Sequence, residues 1–251
     1  RNCRAEISES AIRINIATIR KLLAPGAYFC PMVKADAYGH GAEIVCEELQ
    51  KQKVQQVGVA FAEEAMELRE NGIEDLDILT FGSFSDEGVN LIERYNLTPV
   101  VSSMQQLKLL TQNLQSPRTI HLKFNTGMNR LGFAPEDASR LHEFVQTMPM
   151  KLAGVCTHMS EGGDAQDPEG FTRRQLQSFS QVSAQFPGVT KHCLNSSALI
   201  ASQNLTAEER GGLGARPGIA LYGLPSGGEK VPQELQQVLE WVTQIDVRSE
   251  E

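Results

Sequence analysis

The sequence predicts an α/β fold, a (β/α)8 TIM-type barrel, with the start of a truncated C-terminal β domain behind it. Three observations lead there. Short β-branched and apolar runs alternate with longer stretches of helical period, and Gly, Pro or Asn punctuates the joins. Eight such runs fit into 251 residues, the usual size of one closed barrel. The rival architecture, an open doubly wound sheet, usually carries G-x-G-x-x-G after its first strand, whereas here that strand runs into Val33-Lys34-Ala35-Asp36.

Taken in order, strands are expected near Tyr28 to Val33, Val57 to Phe61, Asp77 to Phe81, Leu97 to Val101, Thr119 to Phe124, Leu152 to Thr157 and Val189 to Leu194, with an eighth near Gly218 to Tyr222. Helices fill the intervals. Ser8 to Leu23 places Ile12, Ile16, Ile19 and Leu23 on one face, and Phe61 to Asn71 ends in the helix-stopping pair Asn71-Gly72. After Leu224 the rhythm breaks. Pro225-Ser226-Gly227-Gly228 reads as a linker, and Leu239, Trp241, Thr243, Ile245 and Val247 alternate as a strand does. A lone strand cannot form a sheet, so residues 1–224 are expected to form the barrel, and 225–251 a linker plus the first strand of a largely absent β domain.

Charge and cysteine content narrow the partners. With 31 acidic and 23 basic side chains the net charge is −8, which argues against nucleic acid. The five cysteines, Cys3, Cys30, Cys46, Cys156 and Cys193, contain no C-x-x-C pair, so neither a metal site nor a disulfide framework is expected. No apolar run nears the ~18 residues of a membrane span, and the expected compartment is cytoplasmic. The chain opens at Arg1 without an initiator Met, so this places little weight on the N-terminus.

Active sites of such barrels lie at the C-terminal ends of the strands. Polar residues there are Lys34, Tyr38, Gly39, His40 and Gly41 after the first strand, and Asn125, Gly127 and Arg130 after the fifth, with Lys123 inside it. His158 and Ser160 follow the sixth, Asn195 and Ser196 the seventh, and Arg216, Gly218 and Tyr222 surround the eighth. A lysine at an apolar strand end can be desolvated into a nucleophilic amine that forms Schiff bases. Alone, Lys34 reads more readily as a lysine snorkelling into solvent, His158 as a core histidine, Ser196 as a helix N-cap and Gly218 as a turn. Tyr222 reads as packing, Glu161-Gly162-Gly163-Asp164 as a solvated loop, and His121, His142 and His192 receive no role.

The neighbours of Lys34 are more specific. Met32-Val33-Lys34-Ala35-Asp36-Ala37-Tyr38-Gly39-His40-Gly41 closely resembles the signature of alanine racemases, fold-type III enzymes that use pyridoxal 5′-phosphate. The resemblance runs from about Ala5 to Leu224. It includes Ala5-Glu6-Ile7, similar to the family's opening strand, His121-Leu122-Lys123-Phe124-Asn125-Thr126-Gly127-Met128-Asn129-Arg130-Leu131-Gly132, Thr157-His158-Met159 and Ala215-Arg216-Pro217-Gly218-Ile219.

The resemblance implies that Lys34 holds the cofactor as an internal aldimine and that Arg130 touches the cofactor's phenolic oxygen and the substrate. It implies that Lys123 is carbamylated, His158 and Arg216 lie against the ring, and Tyr38, Asn195, Ser196, Gly218 and Ile219 bind the cofactor, chiefly its phosphate. Arginine keeps its proton, so Arg216 would leave the pyridine nitrogen unprotonated and weaken the ring as an electron sink. Asn125 stands where many relatives carry aspartate.

Racemisation needs an acid and a base on opposite faces of Cα. By resemblance Lys34 serves one, and a tyrosine from the β domain of a homodimer partner serves the other. Tyr28, Tyr38, Tyr95 and Tyr222 do not match that tyrosine, so the chain as written is expected to bind cofactor and to racemise alanine inefficiently. The implied role is supply of D-alanine for peptidoglycan. Two alternatives are a single-barrel pyridoxal-phosphate-binding or homeostasis protein and a racemase of broader amino-acid specificity. A third, a Schiff-base lyase or aldolase without this cofactor, predicts no pyridine-facing arginine.

Overall fold

A computed structural model describes residues 3–163, 165, 167, 169–206, 210–224 and 232–244. The strands are β1 Cys3–Ile7, β2 Gln56–Val59, β3 Asp77–Thr80, β4 Thr98–Val101, β5 Thr119–Lys123, β6 Lys151–Cys156, β7 Thr190–Leu194, β8 Gly214–Ala215 and β9 Leu239–Thr243. The helices are α1 Glu9–Leu22, α2 Lys34–Gly39, α3 Ala42–Lys51, α4 Ala62–Glu70, α5 Asp86–Arg94, α6 Met104–Asn113, α7 Ala138–Gln146, α8 Phe171–Ala184 and α9 Ser196–Ala201.

Strands β2 to β8 form one parallel sheet in sequence order. The gap between β8 and β2 is bridged by the segment expected as the first strand. Cys30 N–H donates to Ala215 O and Ala215 N–H to Tyr28 O on one side, while Val33 N–H donates to Gly58 O and Gly58 N–H to Pro31 O on the other. Pro31 has no N–H, which interrupts the ladder and leaves this segment as isolated bridges rather than a full strand.

The eighth strand was expected near Gly218 to Tyr222, but the sheet takes Gly214–Ala215 instead, and Ile219–Tyr222 winds into a 3-10 turn. The Ile-Ala-Leu-Tyr run is apolar enough to read either way. All but its first residue are fully buried in the helical turn, with the Tyr222 hydroxyl donating to Met32 O at 2.9 Å.

Period-two alternation sorts each strand into two faces. On β5, Ile120 and Leu122 join the large outer core between sheet and helices. Ile78 of β3, Val101 of β4 and Val155 of β6 join the same core, which extends to Ile12, Ile16 and Ile19 of α1 and to the inner faces of other helices. The opposite phase points into the lumen, where Cys30, Leu79, Val100 and Cys156 pack with Tyr28 and Phe81. Helix α1 starts where the sequence places it, because the Ser8 hydroxyl accepts the Ala11 N–H at 3.2 Å. Helix α4 likewise ends at Asn71 and a Gly72 with φ of 85°.

The tail strand finds its partner at the other end of the chain. β9 pairs antiparallel with β1, from Cys3 opposite Thr243 to Ile7 opposite Leu239, in a two-stranded sheet apart from the barrel sheet. Trp241 is 70% exposed on it. The linker 225–228, Asp164, and Ile245 and Val247 of the expected strand lie outside the described residues. No helix among the described residues is long and apolar enough to cross a membrane.

Candidate active site

The mouth of the barrel encloses a cavity of about 610 Å³. Lys34, Tyr38, Lys123, Arg130, His158, Asn195, Ser196, Arg216, Gly218 and Ile219 all line it, so residues up to 185 positions apart in sequence meet at one place. The lining is strongly cationic: Lys34, Lys123, Arg130 and Arg216 face one carboxylate, that of Glu161, among the described residues. A cavity with this balance selects an anionic ligand.

Lys34 opens α2, whose backbone is unusual. Ala35, Asp36, Ala37 and Tyr38 have φ of 51–57° and ψ of 33–53°, four successive residues in the left-handed region. Each such residue bearing a Cβ costs roughly 1–2 kcal/mol. The turn brings Tyr38 back over the lysine, with Lys34 Nζ 5.7 Å from the Tyr38 ring centre. His40 closes the turn by directing Nδ1 at the carbonyls of Ala37 (3.0 Å) and Tyr38 (3.1 Å), and its ring stacks on Tyr222 at 4.4 Å.

Tyr38, Ser196 and Gly218 meet at one end of the cavity. A Cβ on Gly218 would lie 2.2 Å from the Tyr38 hydroxyl, so only glycine allows this approach. Asn195, not Ser196, is the N-cap of α9, its side chain accepting the Ala198 N–H at 2.9 Å. That frees the Ser196 hydroxyl to accept from Gly218 N–H at 3.1 Å and Ala220 N–H at 3.2 Å. Gly218 thus spends its N–H on Ser196, while Ile219 begins the 3-10 turn, a position without an intrahelical acceptor. Burial raises the Tyr38 pKa and keeps its hydroxyl a donor.

Arg216 sits at the floor of the cavity. Its guanidinium donates to His192 O and Thr157 O, each at 2.6 Å, and to His192 Nδ1 at 2.7 Å, and it lies 5.5 Å from the Phe81 ring centre. Arginine only donates, so His192 Nδ1 is the acceptor and its Nε2 carries the proton, which it passes as a donor to His121 Nδ1 at 2.8 Å. Burial and then the Arg216 charge hold the His121 pKa down to about 4 and push His192 well below its usual value.

These two histidines received no role from sequence. Their strand phase is the available signal: His121 stands two residues before Lys123, on the same lumen face. Gly154 makes room for the His121 ring, since a Cβ there would lie 2.3 Å from Nδ1.

Lys123 is 6% exposed, and burial lowers its pKa, with Arg216, Arg130 and Lys34 adding to the effect while Cys156 opposes it. His158 is lowered to about 3 by burial first and then by Arg216, Lys123, Arg130 and Lys34, so its ring is neutral. Asn125 organises the loop that carries Arg130. Its Oδ1 accepts from Gly127 N–H (3.2 Å) and Asn129 N–H (2.9 Å), and its Nδ2 donates to Asn129 Oδ1 (3.0 Å). An aspartate would make the first two contacts but not the third. The solvated-loop reading of residues 161–164 misses one feature: Glu161 lines the cavity.

Fold and site together define a TIM-type barrel with a strand-end lysine in a cationic, anion-selecting mouth. Within that class the chain belongs to the family described as alanine racemase, N-terminal domain, whose model matches residues 7–226. It is 33% identical over 228 residues to an alanine racemase of Fusobacterium nucleatum, covering 90% of this chain and 62% of that protein. The solved alanine racemase of Clostridium difficile 630 superposes with a TM-score of 0.84 at 30% identity, over 96% of this chain and 64% of the other. An alanine racemase from Bartonella henselae, solved with covalently bound pyridoxal phosphate, gives 0.81 at 25% identity, over 98% and 67%. The chain therefore spans less than two thirds of the length of the curated relative and of the Clostridium difficile structure.

Proposed function

We propose that this chain is the barrel domain of an alanine racemase, which interconverts L- and D-alanine and supplies D-alanine for peptidoglycan. The whole protein acts as a homodimer in the bacterial cytoplasm, with residues 1–224 as the barrel and 225–251 as the linker and entry to a β domain. The antiparallel pairing of β1 with β9 favours this over a single-barrel pyridoxal-phosphate-binding protein, because it starts a second sheet outside the barrel.

The observation that carries the reading is the convergence of Lys34, Arg130, His158, Ser196 and Arg216 on one cavity. The donor set fits pyridoxal 5′-phosphate: an amine for its aldehyde, a cup of hydroxyl and backbone donors beside Gly218 for its phosphate, and cations for its phenolate. When bound, the cofactor supplies an aldehyde carbon and a conjugated ring that spreads the charge left at Cα.

The chain's own residues have separable tasks. Lys34 Nζ would hold the aldehyde in the absence of substrate and, with alanine bound in its place, would be free to move a proton at Cα on its own face. The Tyr38 and Ser196 hydroxyls and the Ile219 N–H would hold the phosphate end, where Gly218 leaves room for the close approach and Asn195 caps the helix that carries Ser196. Arg216 keeps its proton and so would leave the ring nitrogen unprotonated, while neutral His158 would pack beside the ring without adding charge. Arg130 binds the phenolic oxygen and the alanine carboxylate. Carbamylation of Lys123 would turn one of four crowded cations into an anion, relieving the repulsion that adds to burial in depressing its amine.

The test is exchange of the alanine Cα proton in D2O, followed by NMR with pyridoxal phosphate present. The expected result is exchange of at least one enantiomer by wild type and none by Lys34→Ala. No exchange by wild type, or exchange that survives Lys34→Ala, would overturn the reading.

A further inference from the structure

The left-handed turn that aims Lys34 is held from outside by a residue on another element. Glu64, the third residue of α4, directs Oε1 at the Ala35 N–H, 2.7 Å away. Its Oε2 accepts the N–H groups of Ala60 at 2.6 Å and Phe61 at 3.1 Å, just beyond β2. One carboxylate thus fastens the peptide immediately after Lys34 to the end of the neighbouring strand, and Lys34, Ala60 and Phe61 all border the same cavity. Helix capping alone explains the Oε2 contacts, since an N3 glutamate reaching back to the helix start is a capping-box feature. It does not explain the contact to Ala35, which lies 29 residues away and outside the helix.

The geometry of that contact has a consequence for Lys34. The Lys34–Ala35 peptide plane fixes ψ of Lys34, and with it the direction in which the side chain leaves the backbone. Four successive left-handed residues follow, none of them glycine, so the turn is not a conformation these residues adopt unaided. On its far side the turn is secured by His40, Tyr222 and Asp36, whose Oδ1 accepts the Ala42 N–H; on the lysine side Ala37 N–H donates to Val33 O within the turn, and the side chain that reaches in from another element is Glu64.

We infer that Glu64 is a positioning residue for Lys34, holding the strained turn so that the amine faces the bound aldehyde. This rests on the cofactor reading above. A hydrogen bond to a charged acceptor is stronger than a neutral one, so its loss is expected to lower the population of the aimed turn about tenfold.

The experiment uses the full 251-residue chain and three substitutions. Glu64→Ala removes both oxygens. Glu64→Gln leaves a single acceptor oxygen, which can serve Ala35 or the Ala60–Phe61 pair but not both. Ser103→Ala is the control, because it removes the helix-start contact from Ser103 Oγ to Gln106 N–H on α6, away from the cavity. Two readouts are made: the rate at which borohydride fixes added pyridoxal phosphate on Lys34, and hydrogen exchange of the Ala35 amide in cofactor-free protein.

The expected result is about tenfold slower fixation and about tenfold faster Ala35 exchange in Glu64→Ala, an intermediate effect in Glu64→Gln, and neither change in Ser103→Ala. If Glu64→Ala and Ser103→Ala lower the melting temperature alike while Ala35 exchange and Lys34 fixation stay at wild-type rates, Glu64 is only a helix cap and the inference fails. Absence of any Lys34-dependent fixation in wild type would defeat the cofactor reading instead, and the Ala35 exchange rate would still decide the role of Glu64.

Discussion

On β5 the chain writes two chemistries into alternate residues. Ile120 and Leu122 turn outward into a layer of aliphatic side chains sealed by the helices, while His121 and Lys123 turn inward among Tyr28, Cys156, His192 and Arg216. The outer layer needs only volume and apolarity, and it supplies the stability of the barrel. The lumen buries ionisable groups that gain little as packing, and it compensates with directed hydrogen bonds and with shifted proton affinities. The contrast shows how one strand serves two layers: its outer phase packs the barrel, and its inner phase lays Lys123 under a cavity whose other lining groups come largely from the segments that follow the strands.

The largest expected effect breaks the outer layer without touching the site. Leu122→Ala removes a fully buried side chain and should cost about 2–5 kcal/mol in denaturant unfolding. The cofactor-binding behaviour of the folded fraction should stay unchanged. A loss of less than about 1 kcal/mol would mean that the outer layer is not the seat of stability.

Acid should break the lumen. The folded-state pKa values of His121 and His158, about 4 and about 3, lie below the ordinary 6.5, so the unfolded chain binds more protons between these limits. Stability is therefore full above about pH 6.5 and falls as the pH drops toward 4, by about 3 kcal/mol from His121 alone. His121→Gln should flatten this slope in thermal melts taken from pH 7 to 4. An unchanged slope would contradict the burial of a neutral His121.

The smallest effect sharpens the boundary between site and scaffold. Asn125→Asp keeps the contacts to the Gly127 and Asn129 amides but sets its second oxygen against Asn129 Oδ1 in place of a donor. The expected change in stability is below about 1 kcal/mol. A larger loss would make the Asn125–Asn129 pair a principal support of the Arg130 loop.

Much of this arrangement is legible in the sequence, for reasons that differ by region. The outer layer announces itself through periodicity, as Ile12, Ile16 and Ile19 do on α1. The mouth is legible because barrel topology sends strand-end polar residues toward one rim, which puts Lys34 and Arg216 on the same cavity although 182 positions separate them. The short strand Gly214–Ala215 is not legible, since two small residues carry no alternation, and the apolar run after it reads as the better strand. Nor is the left-handed turn at 35–38, because Ala-Asp-Ala-Tyr lacks the glycines that advertise positive φ. The partner of β9 is visible only as two separate strand patterns at opposite ends of the chain, with nothing local to join them. Glu64 and His192 escape for the same reason: each acts on a residue that only the folded chain brings near.

What the cationic mouth at the strand ends is proposed to do is capture pyridoxal phosphate through Lys34. Its most direct test is borohydride reduction of the protein with pyridoxal phosphate, followed by peptide mapping in a mass spectrometer. The account predicts one dominant phosphopyridoxyl adduct, on Lys34, with Lys123 unmodified by the aldehyde. A dominant adduct on Lys123 or on surface lysines, with Lys34 free, would contradict it.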